Sequence, residues 1–297
     1  MKKLTCLGLS IVMALSLLTA CGGGETSTAG SETGSTTTSA SQSAANAGAT
    51  EEITGTVNTD GSTSMADVMA VLKETFAEVQ PGINVNYTGS GSGSGITNVL
   101  NGSVDIGLSS RALKAEEEGQ GAVAHVVALD GVAIVVNPEN TVANLTVEQI
   151  AKIFSGEITN WSEVGGADAE IAVFGRESGS GTRGAFEEIV GVEDACVYTN
   201  EYSSTGDMVG AVAGNPNAIG YASLSAVDES VIAVSVNGVA PSEATVKDGT
   251  YEIQRPFVMV TKEGTELSEA AQAFLDFATS EAVGDLIKQA GAVPPVK

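Results

Sequence analysis

Residues 53–111 read ITGTVNTDGSTSMADVMAVLKETFAEVQPGINVNYTGSGSGSGITNVLNGSVDIGLSSR, and this stretch decides the fold. Residues 53–58 have the make-up of a strand. Gly61-Ser62-Thr63-Ser64 then leads into a run with apolar residues at Met65, Val68, Met69, Leu72, Phe76 and Val79, the spacing of one helix face. Pro81-Gly82 ends that run, and residues 83–87 alternate like a half-buried strand. Residues 89–95 read as a Gly/Ser loop, and Ile96, Val99 and Leu100 as the start of a short helix. Residues 104–108 read as a strand closing on Ser109-Ser110-Arg111. Strand, helix, strand, helix, strand in this order predicts a parallel α/β sheet.

Downstream, residues 126–137 form a long apolar strand region interrupted by Asp130-Gly131, long enough to cross between two lobes. Residues 146–154 predict a helix with a capping box at Thr146 and Gln149. Residues 171–174 predict a strand running into Arg176-Glu177-Ser178-Gly179-Ser180-Gly181-Thr182-Arg183, with a helix from about 184 to 190. Residues 218–224 are a candidate second crossing strand. Residues 256–261 predict a strand, and residues 267–290 a helix in two pieces.

Upstream, Lys2 and Lys3 precede an apolar run to Ala20, which predicts a signal peptide over 1–20. Leu18-Thr19-Ala20-Cys21 resembles a bacterial lipobox and makes Cys21 the expected lipidation site. Residues 21–50, mostly Gly, Ser, Thr and Ala, predict a flexible tether too poor in apolar groups to fold. The formal charge of -24 disfavours nucleic acid and anionic lipid surfaces as partners. Of three cysteines only Cys196 falls in the globular part, so no disulfide framework is expected there, and Cys196 reads as a small buried hydrophobe. One histidine and so few cysteines argue against a zinc site built on nitrogen and sulfur, and His125, in an apolar run, reads as a packing residue.

Four loops share one composition: 62–64, 90–95, 109–111 and 176–183. Each follows a predicted strand at its carboxyl end, the edge where open α/β sheets bind ligands. Three lead into predicted helices, whose N-termini offer free N–H groups and partial positive charge to anions. The chain has four arginines, and Arg111, Arg176 and Arg183 lie in these loops. Guanidinium suits the oxygens of a tetrahedral oxyanion. Gly179-Ser180-Gly181-Thr182-Arg183-Gly184 also fits a dinucleotide fingerprint, but it falls late in the chain and not in the first βα unit. No Walker A loop and no nucleophile elbow occur.

At these residues a resemblance enters. Gly61-Ser62-Thr63-Ser64, Gly91-Ser92-Gly93-Ser94-Gly95, Asp105-Ile106-Gly107-Leu108-Ser109-Ser110-Arg111, the 176–182 loop and Ile219-Gly220-Tyr221 resemble the phosphate-binding proteins of bacterial phosphate ABC importers. Residues 145–150, Ile158-Thr159-Asn160-Trp161 and Arg255-Pro256-Phe257 are similar to the same family, and the likeness runs from about residue 53 to the C-terminus. It implies an α/β fold of the type II periplasmic-binding-protein kind, two lobes joined by two crossing strands. Lobe 1 is expected at about 51–130 and 226–297, and lobe 2 at about 131–225. It implies phosphate contacts from Thr63, Ser64, Ser92, Ser110, Arg176, Ser180, Gly181 and Thr182, with Arg111 a further candidate from the local sequence. Trp161 is expected to pack.

The resemblance further implies a monomer with no catalysis, cofactor or metal. Its partners would be inorganic phosphate and the permease and ATPase subunits of an importer, at the extracytoplasmic face of a cell membrane. The chain departs from the family pattern in two places. Ser110 stands where well-known members carry an aspartate that accepts the phosphate proton, and Ser178 where some carry an aspartate supporting the arginine. Selectivity for phosphate over sulfate then rests on Ser110, on another acceptor such as Glu177, or on both. Three alternatives stay open: a binder of sulfate or molybdate on the same fold, an extracytoplasmic phosphatase or esterase using a loop serine, and an adhesion or signalling protein that kept only the fold.

Overall fold

A computed structural model describes residues 53–295. The expected signal peptide, Cys21 and the tether to residue 50 lie outside the described residues. In chain order the elements are β1 (Gly55–Gly61), α1 (Ala66–Val79), β2 (Ile83–Thr88), α2 (Ser92–Leu100), β3 (Ile106–Ser109), α3 (Ala115–Glu118) and β4 (Ala122–Val136). Then come β5 (Asn144–Leu145), α4 (Val147–Phe154), β6 (Ala172–Arg176), α5 (Gly181–Val190), β7 (Asn200–Tyr202), α6 (Thr205–Ala213) and β8 (Ala218–Ser223). The chain closes with β9 (Ile232–Val236), α7 (Glu243–Lys247), β10 (Gln254–Lys262), α8 (Glu269–Thr279) and α9 (Gly284–Gln289).

The opening stretch folds as its periodicity predicts. β1 lies between β2 and β3, all parallel, and β10 enters antiparallel between β3 and the first part of β4. The apolar stripe of α1 (Val68, Met69, Leu72, Phe76) packs with Phe274 and Leu275 of α8 on one face of this sheet. On the other face Ile96 and Val99 of α2 meet Val258 and Val260 of β10. Burying each such side chain contributes roughly 1.5–3 kcal/mol.

β4 belongs to two sheets. Up to Gly131 it pairs with β10, and from Val132 to Val136 it pairs with β8 and β9. In the second sheet β6 runs parallel to β8 and to β7. Both faces of this sheet are covered, which explains the uninterrupted apolar run. Val132, Ile134 and Val136 face α4 and α5, while Ala133 and Val135 face α6, the alternation of a pleated strand. The capping box of α4 forms as expected: Gln149 N donates to Thr146 Oγ1 at 3.1 Å, and Thr146 N to Gln149 Oε1 at 2.9 Å.

Three expectations need correction. Residues 218–224 are not a crossing strand, because β8 pairs only with β4 beyond Gly131 and with β6. The second crossing is the entry to β10, where Val132 N donates to Ile253 O at 2.7 Å and Gln254 pairs with Gly131. The return to lobe 1 therefore lies near residue 254 and not 226, since β9 pairs with β4 and Val246, Tyr251 and Ile253 pack in the lobe 2 core. Finally, α2 and α5 begin at Ser92 and Gly181, several residues before their apolar stripes. Glycine has low helix propensity, and here it occupies the first turn, where the N–H groups have no helical acceptor.

Candidate functional site

The carboxyl ends of β1, β3, β6 and β7 meet where the lobes face each other. Gly61 (φ 142°) ends β1 pressed against Leu108, whose carbonyl oxygen any Cβ there would overlap. Thr63 and Ser64 follow in a 3-10 turn capped by Ser62, whose Oγ accepts from Ser64 N at 3.2 Å. Ser92 is the first residue of α2. Ser110 follows β3, and its N–H donates to Ser92 Oγ at 3.1 Å with the two hydroxyls 3.3 Å apart.

From lobe 2, β6 ends at Arg176, and the turn after it opens α5 with Ser180 as cap and Gly181 and Thr182 in the first turn. Thr182 Oγ1 lies 2.7 Å from Ser64 Oγ, and Gly93 N donates to Gly179 O at 3.1 Å, so the lobes touch across this seam. A Cβ on Gly181 would overlap Ser92 Oγ and come within 2.8 Å of Ser110 Oγ. Only glycine permits that approach.

Arg176 is the centre of the arrangement. Its guanidinium donates from Nε to Tyr202 O (3.0 Å), from Nη1 to Thr205 Oγ1 (2.9 Å), and from Nη2 to Thr63 Oγ1 (3.1 Å) and Ser203 O (2.8 Å). All four acceptors are neutral. A guanidinium has five N–H donors, so one on Nη1 is left over. Among the described residues no carboxylate forms an ion pair with Arg176. Burial pulls its pKa down to about 10, which still leaves it cationic at neutral pH. A buried cation without an internal counter-charge favours an anion beside it.

The other arginines are engaged. Arg255 is held by Asp130, Arg183 by Glu187 and Glu201, and Arg111 by Glu117. The Arg111 fork grips both oxygens of Glu117 at 2.8 and 2.7 Å and also donates to Ala112 O. The sequence expectation of Arg111 as an anion ligand is thus not matched by its side chain, which turns back onto its own loop. The structure brings Thr63, Ser64, Ser92, Ser110, Arg176, Gly181 and Thr182 together, with Ser180 capping α5 through its Oγ (Arg183 N, 3.3 Å).

Thr205, which sequence reasoning missed, joins them at the start of α6. Its Oγ1 lies 3.2 Å from Thr63 Oγ1 and 3.0 Å from Ser64 Oγ. The available signal was Ser203-Ser204-Thr205, a further hydroxyl-rich loop between a strand and a helix. Beneath Arg176 lies a part-buried hydrogen-bond chain that the sequence did not signal. Arg176 N donates to the Tyr221 hydroxyl (3.1 Å), which pairs with the Tyr198 hydroxyl (3.0 Å), and that donates to Glu187 Oε1 (3.0 Å).

The remaining candidates stand apart. His125 Nε2 pairs with Thr261 Oγ1 at 2.9 Å, and burial lowers its pKa. The half-buried Cys196 thiol is pushed up to about 11, chiefly by burial. Trp161 is buried, with Nε1 donating to Asn217 O at 3.0 Å.

Electrostatically, the N-termini of α2, α5 and α6 converge on one arginine and a cluster of hydroxyls. Each hydroxyl can donate and accept. Such a set is suited to a small oxyanion. Among the described residues none of these hydroxyls bonds to a histidine, lysine or carboxylate, the base that serine activation requires. Nor does any group of acidic, histidine or cysteine side chains suit a metal ion among the described residues.

Comparison with known proteins points the same way. The PBP superfamily domain model matches residues 26–282. The phosphate-binding protein PstS of Bacillus subtilis is 33% identical over 296 residues, covering 96% of this chain and 93% of that protein. The protein of the same name from Borreliella burgdorferi is 30% identical over 249 residues, covering 79% and 88%. Among solved structures, a Clostridium perfringens protein described as a phosphate ABC transporter substrate-binding protein, crystallised with bound phosphate, superposes with a TM-score of 0.79. The two are 40% identical, over 82% of this chain and 100% of that one. A Vibrio cholerae ABC-type phosphate transport receptor gives 0.68 at 36% identity, over 80% and 100%.

Proposed function

The chain belongs to the PBP superfamily and, within it, to the phosphate-binding PstS proteins, and we propose that it captures inorganic phosphate outside the cytoplasm and delivers it to an ABC importer. It is a binding protein, with no chemical step to perform. The observation that carries the reading is Arg176, buried at 1% exposure with only neutral partners, at the meeting point of three helix N-termini. Phosphate supplies the missing counter-charge and enough oxygens to engage both lobes.

The ligand set is Thr63, Ser64, Ser92, Ser110, Arg176, Ser180, Gly181 and Thr182. Arg176 contributes its remaining Nη1 donor, the hydroxyls turn their protons to the phosphate oxygens, and the first-turn N–H groups of α2 and α5 complete the shell. Phosphate stabilises the closed lobes by as much as it binds them more tightly than the open ones. The protein acts as a monomer, and a lipid on Cys21 holds it to the membrane beside permease and ATPase subunits. Replacing Cys21 by Ala is expected to release it into the medium.

Calorimetry on ligand-stripped protein tests the function, with phosphate and then sulfate titrated at one pH. One-to-one phosphate binding with much weaker sulfate binding supports it. Folded, ligand-free protein that takes up no phosphate would overturn it.

A further inference from the structure

We propose that Thr205 is a positioning residue for phosphate capture, which fixes the Arg176 guanidinium and latches the closed lobes through Thr63 and Ser64. The inference rests on the phosphate reading above and adds a residue from a loop that the family resemblance left without a role.

Thr205 is the first residue of α6, yet it does not cap that helix. Ser204 does, accepting from Asp207 N at 3.0 Å. The Thr205 side chain is therefore not committed to its own helix, and it is buried at 4% exposure. Its Oγ1 accepts from Arg176 Nη1 at 2.9 Å. A hydroxyl has one proton and two lone pairs. With a lone pair taken by the guanidinium, the Thr205 proton points away from Arg176. It is directed at Ser64 Oγ (3.0 Å), at Thr63 Oγ1 (3.2 Å), or at an oxyanion between them. Arg176 thus reaches lobe 1 by two routes, directly to Thr63 and through Thr205 to Ser64.

Arg176 and Thr205 ride on lobe 2, Thr63 and Ser64 on lobe 1. Their contacts exist only when the lobes meet. A contact confined to the closed state slows release and leaves encounter with the open cleft unchanged. Removing the hydroxyl also leaves a buried guanidinium N–H without an acceptor, the costly way to lose a hydrogen bond.

The test compares Thr205→Val, Thr205→Ala and Thr205→Ser with wild type. Rapid filtration with radiolabelled phosphate follows uptake and release, and melting is measured without ligand. Thr205→Val and Thr205→Ala are expected to release phosphate roughly tenfold to a hundredfold faster, with uptake rates within about threefold of wild type. Thr205→Ser, which keeps the hydroxyl, is expected to release near the wild-type rate. Wild-type release from Thr205→Val would overturn the proposal. So would a Thr205→Ser variant that releases as fast as Thr205→Val while melting earlier without ligand, because that reports packing by the methyl group. Wild type that binds no phosphate at all would sink the phosphate reading itself, a different result from wild type that binds while Thr205→Val is unaltered.

Discussion

Arg176 and Arg255 are almost equally hidden, at 1% and 3% exposure, but their surroundings differ in one respect. Arg255 lies directly across the β10–β4 register from Asp130, where both chain crossings occur, and grips one carboxylate oxygen from Nε at 3.0 Å and from Nη2 at 2.9 Å. Asp130 also accepts from Ser223 Oγ and Leu224 N of lobe 2, and Arg255 Nη1 donates to Ser110 O of lobe 1. Every charge there is answered inside the protein. Arg176 has donors spread over hydroxyls and carbonyls and no internal carboxylate partner among the described residues. Burial alone does not separate a structural arginine from a binding one. The location of the counter-charge does: Arg255 carries its own and joins the lobes, whereas Arg176 has none among the described residues and, on the proposed function, takes it from bound phosphate.

The sharpest way to break this contrast is to replace each arginine by methionine. Arg255→Met leaves the Asp130 carboxylate buried and unpaired, and unfolding in denaturant is expected to show a loss of about 3–5 kcal/mol. Arg176→Met leaves no orphaned charge, so ligand-free stability should hold or rise, while phosphate affinity falls by at least about a hundredfold. If Arg176→Met costs the ligand-free protein as much as Arg255→Met, the two sites are not different in kind. Gly181→Ala comes next. Its Cβ would overlap Ser92 Oγ only across the closed seam, so calorimetry should find phosphate binding weaker by about 1–3 kcal/mol. Ligand-free melting should be unchanged or slightly raised, since alanine suits a helix better than glycine.

How much of this was legible in the sequence depends on how local the cause is. The Thr63–Ser64, Ser92, Ser110 and 176–182 loops could be read because strand, hydroxyls, glycine and helix follow one another within a few residues. Thr205 was hidden because β7, which delivers it, spans only Asn200–Tyr202 and its pattern is not that of an alternating strand. The orientation of Arg111 was not legible because composition places an arginine near a site without saying which way its fork turns, and Glu117 lies one short turn further on. The entry to β10 was missed as the crossing because β8 is buried on both faces and reads like any central strand. Only the register against Gly131 and Val132 tells the two apart.

Ser110→Ala tests the finer grain of the Arg176 region. The Ser110 hydroxyl contacts only Ser92 Oγ among the described residues, so its oxygen can accept a hydrogen bond from a protonated phosphate oxygen, unlike the hydroxyls that donate. Fully ionised sulfate has no proton to offer. The substitution should cost phosphate about 1 kcal/mol, roughly fivefold in Kd, and sulfate less. Parallel titrations with the two anions measure the ratio. Equal losses would mean that Ser110 only donates, and would turn attention to Glu177.

The smallest effect is expected at Arg111, and it bears on the contrast directly. If the internal counter-charge decides, Arg111→Gln should leave the phosphate Kd within about twofold, because Glu117 already answers that guanidinium. Its stability cost should be about 1 kcal/mol, because the fork is bidentate but the pair is only part-buried. Burial works against the charge on Glu117, but the hydrogen bonds and positive charge of Arg111 outweigh it and hold the carboxyl below the usual 4.5. A carboxyl depressed in the folded state adds stability that is present above its unfolded value and lost as pH falls through the folded one. The melting difference between wild type and Arg111→Gln should therefore be steady at neutral pH and vanish on acidification below 4.5. A large loss of phosphate affinity in Arg111→Gln would show that an arginine with its own carboxylate can still serve the anion, and the rule drawn from Arg176 and Arg255 would fail.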